Sequence, residues 1–259
     1  MINTRDVPHV PPRRNTPPMT PNLLTVLTVT WNEEAIISDF IDWYRTAIPE
    51  CRIVVYDNQS TDDTAAVALR KGCEVRFFDT ANTFDEQSLI DIRNQRWKDH
   101  PASYYCIVDA DEWVAVTREF LVANLKQPEW DVCRCLGFEL FGDRGDDMWR
   151  LRYGVPNARY SKPVLFRDTI RETNFEPGSH DGNPQKHGDT TVQWCSGFPN
   201  LYHTKWRSWE YGIQRQRAIA ARERSAHSRQ MGWGFHYSLP EAKHLEYFTV
   251  GYRTRLRVL

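Results

Sequence analysis

The chain has 259 residues, 41% of them hydrophobic, enough to bury a substantial core in one large domain or two small ones, which excludes a disordered polypeptide. The net charge is −1, yet residues 1–139 hold 14 Lys and Arg against 22 Asp and Glu, whereas residues 140–259 hold 19 against 12. An acidic front half suits a metal site and an arginine-rich back half suits an anionic ligand; the dispersal of the basic residues argues against a nucleic-acid binder.

Residues 1–22 contain six prolines (Pro8, Pro11, Pro12, Pro17, Pro18 and Pro21) and no periodicity, so they are expected to form an extended arm. From Leu23 the run LLTVLTVT has the β-branched composition of a strand and meets Trp31-Asn32-Glu33-Glu34. Ile36, Ile37, Phe40, Ile41 and Tyr44 then recur at helical spacing. A second strand, Cys51 to Tyr56, runs into the turn and cap residues Asp57 to Asp62 and a helix that stops at Gly72. A third strand, Cys73 to Phe78, precedes a helix around Leu89 to Trp97, and a fourth, Tyr104 to Val108, ends at Asp109. Such βα alternation predicts an α/β fold with a mostly parallel central sheet flanked by helices and ligands at the carboxyl ends of the strands. Beyond Leu140 the pattern weakens to short strands and loops with one clear helix, Trp209 to Arg224, which predicts an α+β elaboration of the same sheet. The division expected is a 1–22 arm followed by 23–139 and 140–259 as two halves of one domain.

The six cysteines include Cys51, Cys73 and Cys106 inside apolar runs, and Cys133 and Cys135 two apart, with neither a CxxC pair nor zinc spacing. They are read as buried thiols, pointing to a reducing, cytoplasmic setting. No run of 18 apolar residues appears, so peripheral contact is the most that is expected at a membrane.

Asp109-Ala110-Asp111 leaves the sheet with two carboxylates flanking one residue, so that both can reach one site at the strand's tip. Hard oxygen ligands there suit Mn2+ or Mg2+, which keep open positions for phosphate oxygens, although paired aspartates also form turns. Without a cation the two carboxylates repel each other. The aromatic share of 13%, with ten tryptophans, suggests surfaces that stack on flat rings.

Over about residues 23–250 the sequence resembles family 2 type glycosyltransferases of GT-A (Rossmann-like) fold, in TVTWNEE, VVYDNQSTDDT, RNQRW, the DxD-containing IVDADEW, KPVLF, Gly178-Ser179-His180, LYHTK and GWGFHY. The resemblance implies transfer of a hexosyl or pentosyl unit from a UDP- or GDP-sugar to a hydroxyl of a glycan or lipid-linked saccharide, metal-dependent and inverting. It places Thr30, Trp31 and Asn32 around the base and ribose, with Trp31 stacking on the base. Asp57 would accept from the base's N–H and Glu34 hold the ribose, Asp57 and Asp62 being helix caps in the alternative. Arg93 would pair with a phosphate or with an acidic ligand of the site. Asp109 and Asp111 would hold the metal with a C-terminal histidine, His203 before His180 or His236. For the base, which takes the acceptor's proton, Asp181 is preferred over Glu139, Asp143, Asp146 and Asp147. The chain departs from the family pattern in having Gln59 where a glycine is usual, and in lacking a Glu-Asp pair opening a helix in the acceptor half. A sugar-nucleotide nucleotidyltransferase would need a glycine-rich basic loop after the first strand, a nicotinamide dehydrogenase a GxGxxG. A catalytically silent nucleotide- or sugar-binding module remains the alternative outside enzymes.

Overall fold

A computed structural model describes residues 22–143 and 148–259. The strands are β1 (Asn22–Thr30), β2 (Arg52–Asp57), β3 (Glu74–Phe77), β4 (Ala102–Ile107), β5 (Glu112–Val114), β6 (Val132–Phe141), β7 (Tyr153–Pro156), β8 (Leu165–Arg167), β9 (Ile170–Glu172), β10 (Gln185–Lys186), β11 (Trp194–Trp206) and β12 (Leu256–Arg257). The helices are α1 (Glu34–Ala47), α2 (Thr64–Arg70), α3 (Glu86–Gln95), α4 (Arg118–Lys126), α5 (Trp209–Ala221), α6 (Ala226–Gln230) and α7 (Glu241–Thr254).

β1 lies between β2 and β4, parallel to both, and β2 pairs in parallel with β3. The path then continues through β8, β6, β7 and β12 by antiparallel pairing, while β11 runs parallel to β6 and antiparallel to β5. The sheet is therefore mixed, with the parallel N-terminal half and helical flanks that the βα alternation predicts. Alternate residues of β2 show why: Ile53 and Val55 pack with Ile36, Phe40 and Tyr44 of α1, whereas Val54 and Tyr56 join Ile92 of α3, Trp97 and Tyr105 on the other face. A strand covered on both faces needs a continuous apolar run rather than alternation.

The elements through β4 fall where the sequence places them, although the helical stretch around Leu89–Trp97 begins earlier, at Glu86, and tightens to a 3₁₀ turn from Arg96. The C-terminal half is more regular than its sequence suggests. β11 is 13 residues long, and α7 is a helix of 14 residues that the apolar pattern does not announce. Its buried positions are His244 and Gly251, which add nothing to a hydrophobic stripe. A Cβ on Gly251 would come within 2.1 Å of the Phe141 ring, so only glycine lets α7 approach β6. The predicted helix from Trp209 ends at Ala221, and Arg222 is extended.

Residues 1–21 of the proline-rich arm, and Asp146 and Asp147, lie outside the described residues. All six cysteines are free thiols, five of them buried and Cys195 half-buried. Among the described residues no helix is long and apolar enough to cross a membrane.

Candidate active site

The carboxyl ends of β1 and β4 open into a cleft of about 810 Å³, whose far wall comes from β11, α5, α7 and the Gly232–Tyr237 loop. β11 assembles its floor. The antiparallel register with β5 sets His203 beside Glu112, and the parallel register with β6 sets it beside Glu139. The next residue ties in the DxD segment: Thr204 donates its backbone N–H (2.7 Å) and its hydroxyl (3.0 Å) to the carbonyl of Asp111. His203 then has Nε2 3.2 Å from Asp111 Oδ2 and Nδ1 2.6 Å from Glu139 Oε1, with the Tyr160 ring stacked on it at 3.9 Å.

Burial alone would lower the His203 pKa, but Glu139 and Asp111 outweigh it and raise it to about 10, so the ring is cationic. Burial in turn pushes the Asp111 carboxyl up, and His203 brings it well below the ordinary carboxylate range. Asp109 is held separately: Arg93 donates to Asp109 Oδ1 at 2.6 Å and to Glu86 Oε1 at 3.2 Å. Glu86 also accepts from the Gly178 N–H at 2.9 Å, which binds the 177–179 turn to α3. Beneath, Glu112 forms a buried ion pair with Lys162, whose ammonium also donates to the Gly178 carbonyl at 2.6 Å.

Cations face the two aspartates across the cleft. Arg215 pairs with Glu33, yet its second terminal nitrogen and Glu33 Oε2 are buried without a partner. Burial lifts the Glu33 carboxyl to about 8 against the pull of Arg215. Arg222 lies 4.1 Å above the Trp31 ring and donates to the Thr83 carbonyl at 2.8 Å; among the described residues it has no carboxylate partner. Burial and Arg215 bring its pKa down to about 10. Lys205 touches the faces of Trp206 and Tyr237 and likewise has no carboxylate bound to it among the described residues. The Gly232–Tyr237 loop closes this wall on Phe84: Gly234, at φ 72°, would press a Cβ to within 2.8 Å of that ring.

Of the predicted site residues, Thr30, Trp31, Arg93, Asp109, Asp111 and His203 line this one cleft. Asn32, Glu34, Asp57 and Asp181 are not part of its lining. Asp57 is fully buried, accepting from Thr30 Oγ1 (3.0 Å), Ser60 N (2.8 Å) and Ser60 Oγ (2.6 Å), so its carboxylate is spent on the β2–α2 turn and on tying it to the end of β1. Asn32 braces the same turn through Ser60 and Thr61. Glu34 is exposed and accepts from the Asp63 N–H at 3.3 Å; Glu33 is the acid of that pair that lines the cleft. Asp62 accepts from the Thr64 N–H at 3.0 Å, as a turn former does. Asp181 is on the surface, 2.7 Å from Arg134, and does not line the cleft. Of its alternatives Glu139 lines the cleft, and Asp143 pairs with Tyr252 and Arg255. His180 and His236 line the cleft without a hydrogen bond or ion pair to Asp109 or Asp111 among the described residues. Gln59 has φ 53°, the left-handed region that explains why glycine is usual there.

Among the described residues no group of three His, Cys, Asp or Glu side chains stands ready to hold a metal ion. The expected trio is not preassembled, because Arg93 holds Asp109 and the His203 ring carries a proton. The donor chemistry nevertheless fits. Asp111 Oδ2 and His203 Nε2, 3.2 Å apart, have nearly the separation of adjacent ligands around an octahedral ion with bonds of about 2.1 Å. Glu139 behind the ring is the carboxylate that commonly orients a metal-bound histidine.

Lys205, Arg215 and Arg222 are absent from the sequence reading, though a signal existed. His203 and Lys205 share a strand face by their spacing of two, and on the helix expected over Trp209–Arg224 the spacing of four and seven would set Arg215, Ile219 and Arg222 on one face.

No family model matches the chain. Protein RfbJ of Shigella flexneri is 30% identical over 89 residues, which are 34% of this chain and 64% of RfbJ, so the chain spans just under two thirds of that relative. Among solved structures, S. aureus TarS 1–349 is similar at 17% identity over 76% of this chain and 64% of that one, with a TM-score of 0.41. Mannosyltransferase PcManGT from Pyrobaculum calidifontis, in complex with GDP-Man and Mn2+, is similar at 20% identity over 46% and 37%, with a TM-score of 0.34.

Proposed function

We propose that the chain is a glycosyltransferase of the family 2 type with a GT-A fold, moving a sugar from a nucleotide-diphosphate donor to a hydroxyl acceptor with a divalent cation. The observation that carries it is that two carboxylates at the tip of β4, Asp109 and Asp111, share the lining of one cleft with two arginines, Arg215 of α5 and Arg222 just after it. A cation on the aspartates and a diphosphate between them and the arginines would neutralise both walls. Bound there, Mn2+ or Mg2+ would stabilise the charge that grows on the departing nucleoside diphosphate.

The protein's own groups divide the remaining work. Trp31 offers a flat face to the base, and Arg222 above it a charge for the phosphates. The free Glu33 Oε2 is an acceptor for ribose hydroxyls. Arg93 keeps Asp109 fixed, and Glu139 orients His203. The sugar would lie in the middle of the cleft and the acceptor beside Tyr160, His180 and Tyr247, which also line it. Asp181, outside the cleft and paired with Arg134, would not reach the acceptor hydroxyl as the base of an inverting course.

The test is a panel of UDP- and GDP-sugars incubated with the protein and Mn2+, followed by release of nucleoside diphosphate. Release from one nucleotide class that stops in EDTA is expected. Intact donors throughout, with or without added glycans, would defeat the reading.

A further inference from the structure

Arg159, Lys205, His180 and His236 line the cleft around Tyr160 and Tyr237, and the acids that act on Lys205 are Glu139 and Asp111. Arg159 has no side-chain partner among the described residues, although its carbonyl is 2.7 Å from His180 Nδ1. A carbonyl only accepts, so His180 donates there and its Nε2 is a bare acceptor in the neutral ring. From the opposite wall come His236, whose ring lies 4.1 Å from that of Tyr237, and Lys205, whose ammonium lies 5.2 Å from the same tyrosine. The charged groups that act on His236 are Lys205, Arg159, His180 and His244, and all are basic. The acids are already engaged: Glu139 and Asp111 both bind His203, Glu139 also accepts from the Tyr247 hydroxyl at 3.0 Å, and Glu246 is 3.0 Å from Lys243.

Two buried polar atoms in the same wall lack partners, Gln216 Oε1 and His244 Nε2, beside the Trp206 ring. Buried polar groups without partners are costly, and a ligand's hydroxyls would satisfy them. Unmatched cations together with free hydrogen-bonding atoms and aromatic rings suit a sugar that carries an anion.

We propose that Arg159, Lys205 and His236 form an anion subsite, with Gln216 and His244 serving adjacent hydroxyls, and that the acceptor is a saccharide bearing a phosphate or a carboxylate. This rests on the transferase reading, since it names the acceptor class of the same cleft. The fixed cations already disfavour protonated imidazole: burial, then Lys205 and Arg159, bring His236 down to about 4, and burial with Lys162 brings His180 to about 4. An arriving anion relieves that field.

The test titrates glucose 6-phosphate, glucuronate and methyl glucoside into the full chain, alone and with saturating UDP or GDP and Mn2+. One anionic sugar, which identifies the charge carried, is expected to bind at least about tenfold tighter than methyl glucoside, with or without nucleotide. Arg159→Ala should abolish that preference and Arg159→Lys restore part of it, while nucleoside diphosphate affinity stays within about twofold. Equal affinity for all three sugars overturns the proposal, as does competition between the anionic sugar and the nucleotide, which would assign the cluster to the donor's diphosphate. Absence of nucleotide binding would instead count against the transferase reading, because the sugars are also measured without it.

Discussion

His203 Nδ1 and Glu139 Oε1 lie 2.6 Å apart, across the one place where β6 and β11 set these residues side by side. The contact fixes the ring and leaves Nε2 directed to Asp111, which makes Glu139 a positioning residue for the proposed metal. Glu139→Gln should weaken Mn2+ binding about 10–100-fold, the usual cost of losing such a partner, read by titrating Mn2+ into protein with nucleoside diphosphate present. Unchanged Mn2+ affinity would leave Glu139 a purely structural residue.

Trp31 and Arg222 are in face-to-cation contact at 4.1 Å in the part of the cleft assigned to the base. Removing a stacking ring typically costs about 1–3 kcal/mol per base. Trp31→Ala is expected to weaken UDP or GDP binding by about 5–150-fold. Trp31→Phe, which keeps a flat face, should recover most of it. Equal affinity in wild type and Trp31→Ala would remove the base from this wall.

Asp57 accepts three hydrogen bonds inside the sheet edge, so its loss should act on folding rather than on the ligand. Asp57→Ala is expected to lower stability by about 1–3 kcal/mol and leave nucleotide affinity within about threefold at a temperature where the variant is folded. A large loss of affinity without loss of stability would return Asp57 to the base pocket.

Asp131 provides a pH test away from the cleft. Burial raises its pKa, but Gln193 N, Lys186 and Thr169 outweigh burial and set it below the ordinary 3.8. A carboxylate lowered in the folded state stabilises above its unfolded pKa, and that contribution disappears as pH falls through the folded value. Asp131→Asn should therefore cost about 1–3 kcal/mol above pH 5, and the gap in melting temperature should close as pH drops below about 4. A gap that is constant with pH would mean that Asn replaces the contacts without the charge.

The N-terminal half was legible because each of its signals is local. β1, β2 and β4 are apolar runs, and Trp31 and Asp109 follow them within two residues, so placing the strand places the site residue. The C-terminal half depends on pairing at a distance. Nothing near His203 tells that Glu112 and Glu139 flank it, since both registers arise from how β11 inserts between β5 and β6. Asp181 follows a His180 that lines the cleft, but the next side chain turns outward to Arg134. The repulsion expected between Asp109 and Asp111 is answered by a cation for each, Arg93 and His203, which residue spacing does not reveal.

The central claim is that Asp111 and a divalent cation together hold a nucleoside diphosphate. The most direct measurement is calorimetric titration of UDP and GDP into wild type and Asp111→Asn, each in Mn2+ and in EDTA. One nucleotide should bind wild type in Mn2+ at least about 100-fold tighter than in EDTA, and Asp111→Asn should bind it in Mn2+ no better than wild type does in EDTA. Equal affinity in Mn2+ and EDTA, or full Mn2+-dependent affinity in Asp111→Asn, would contradict it.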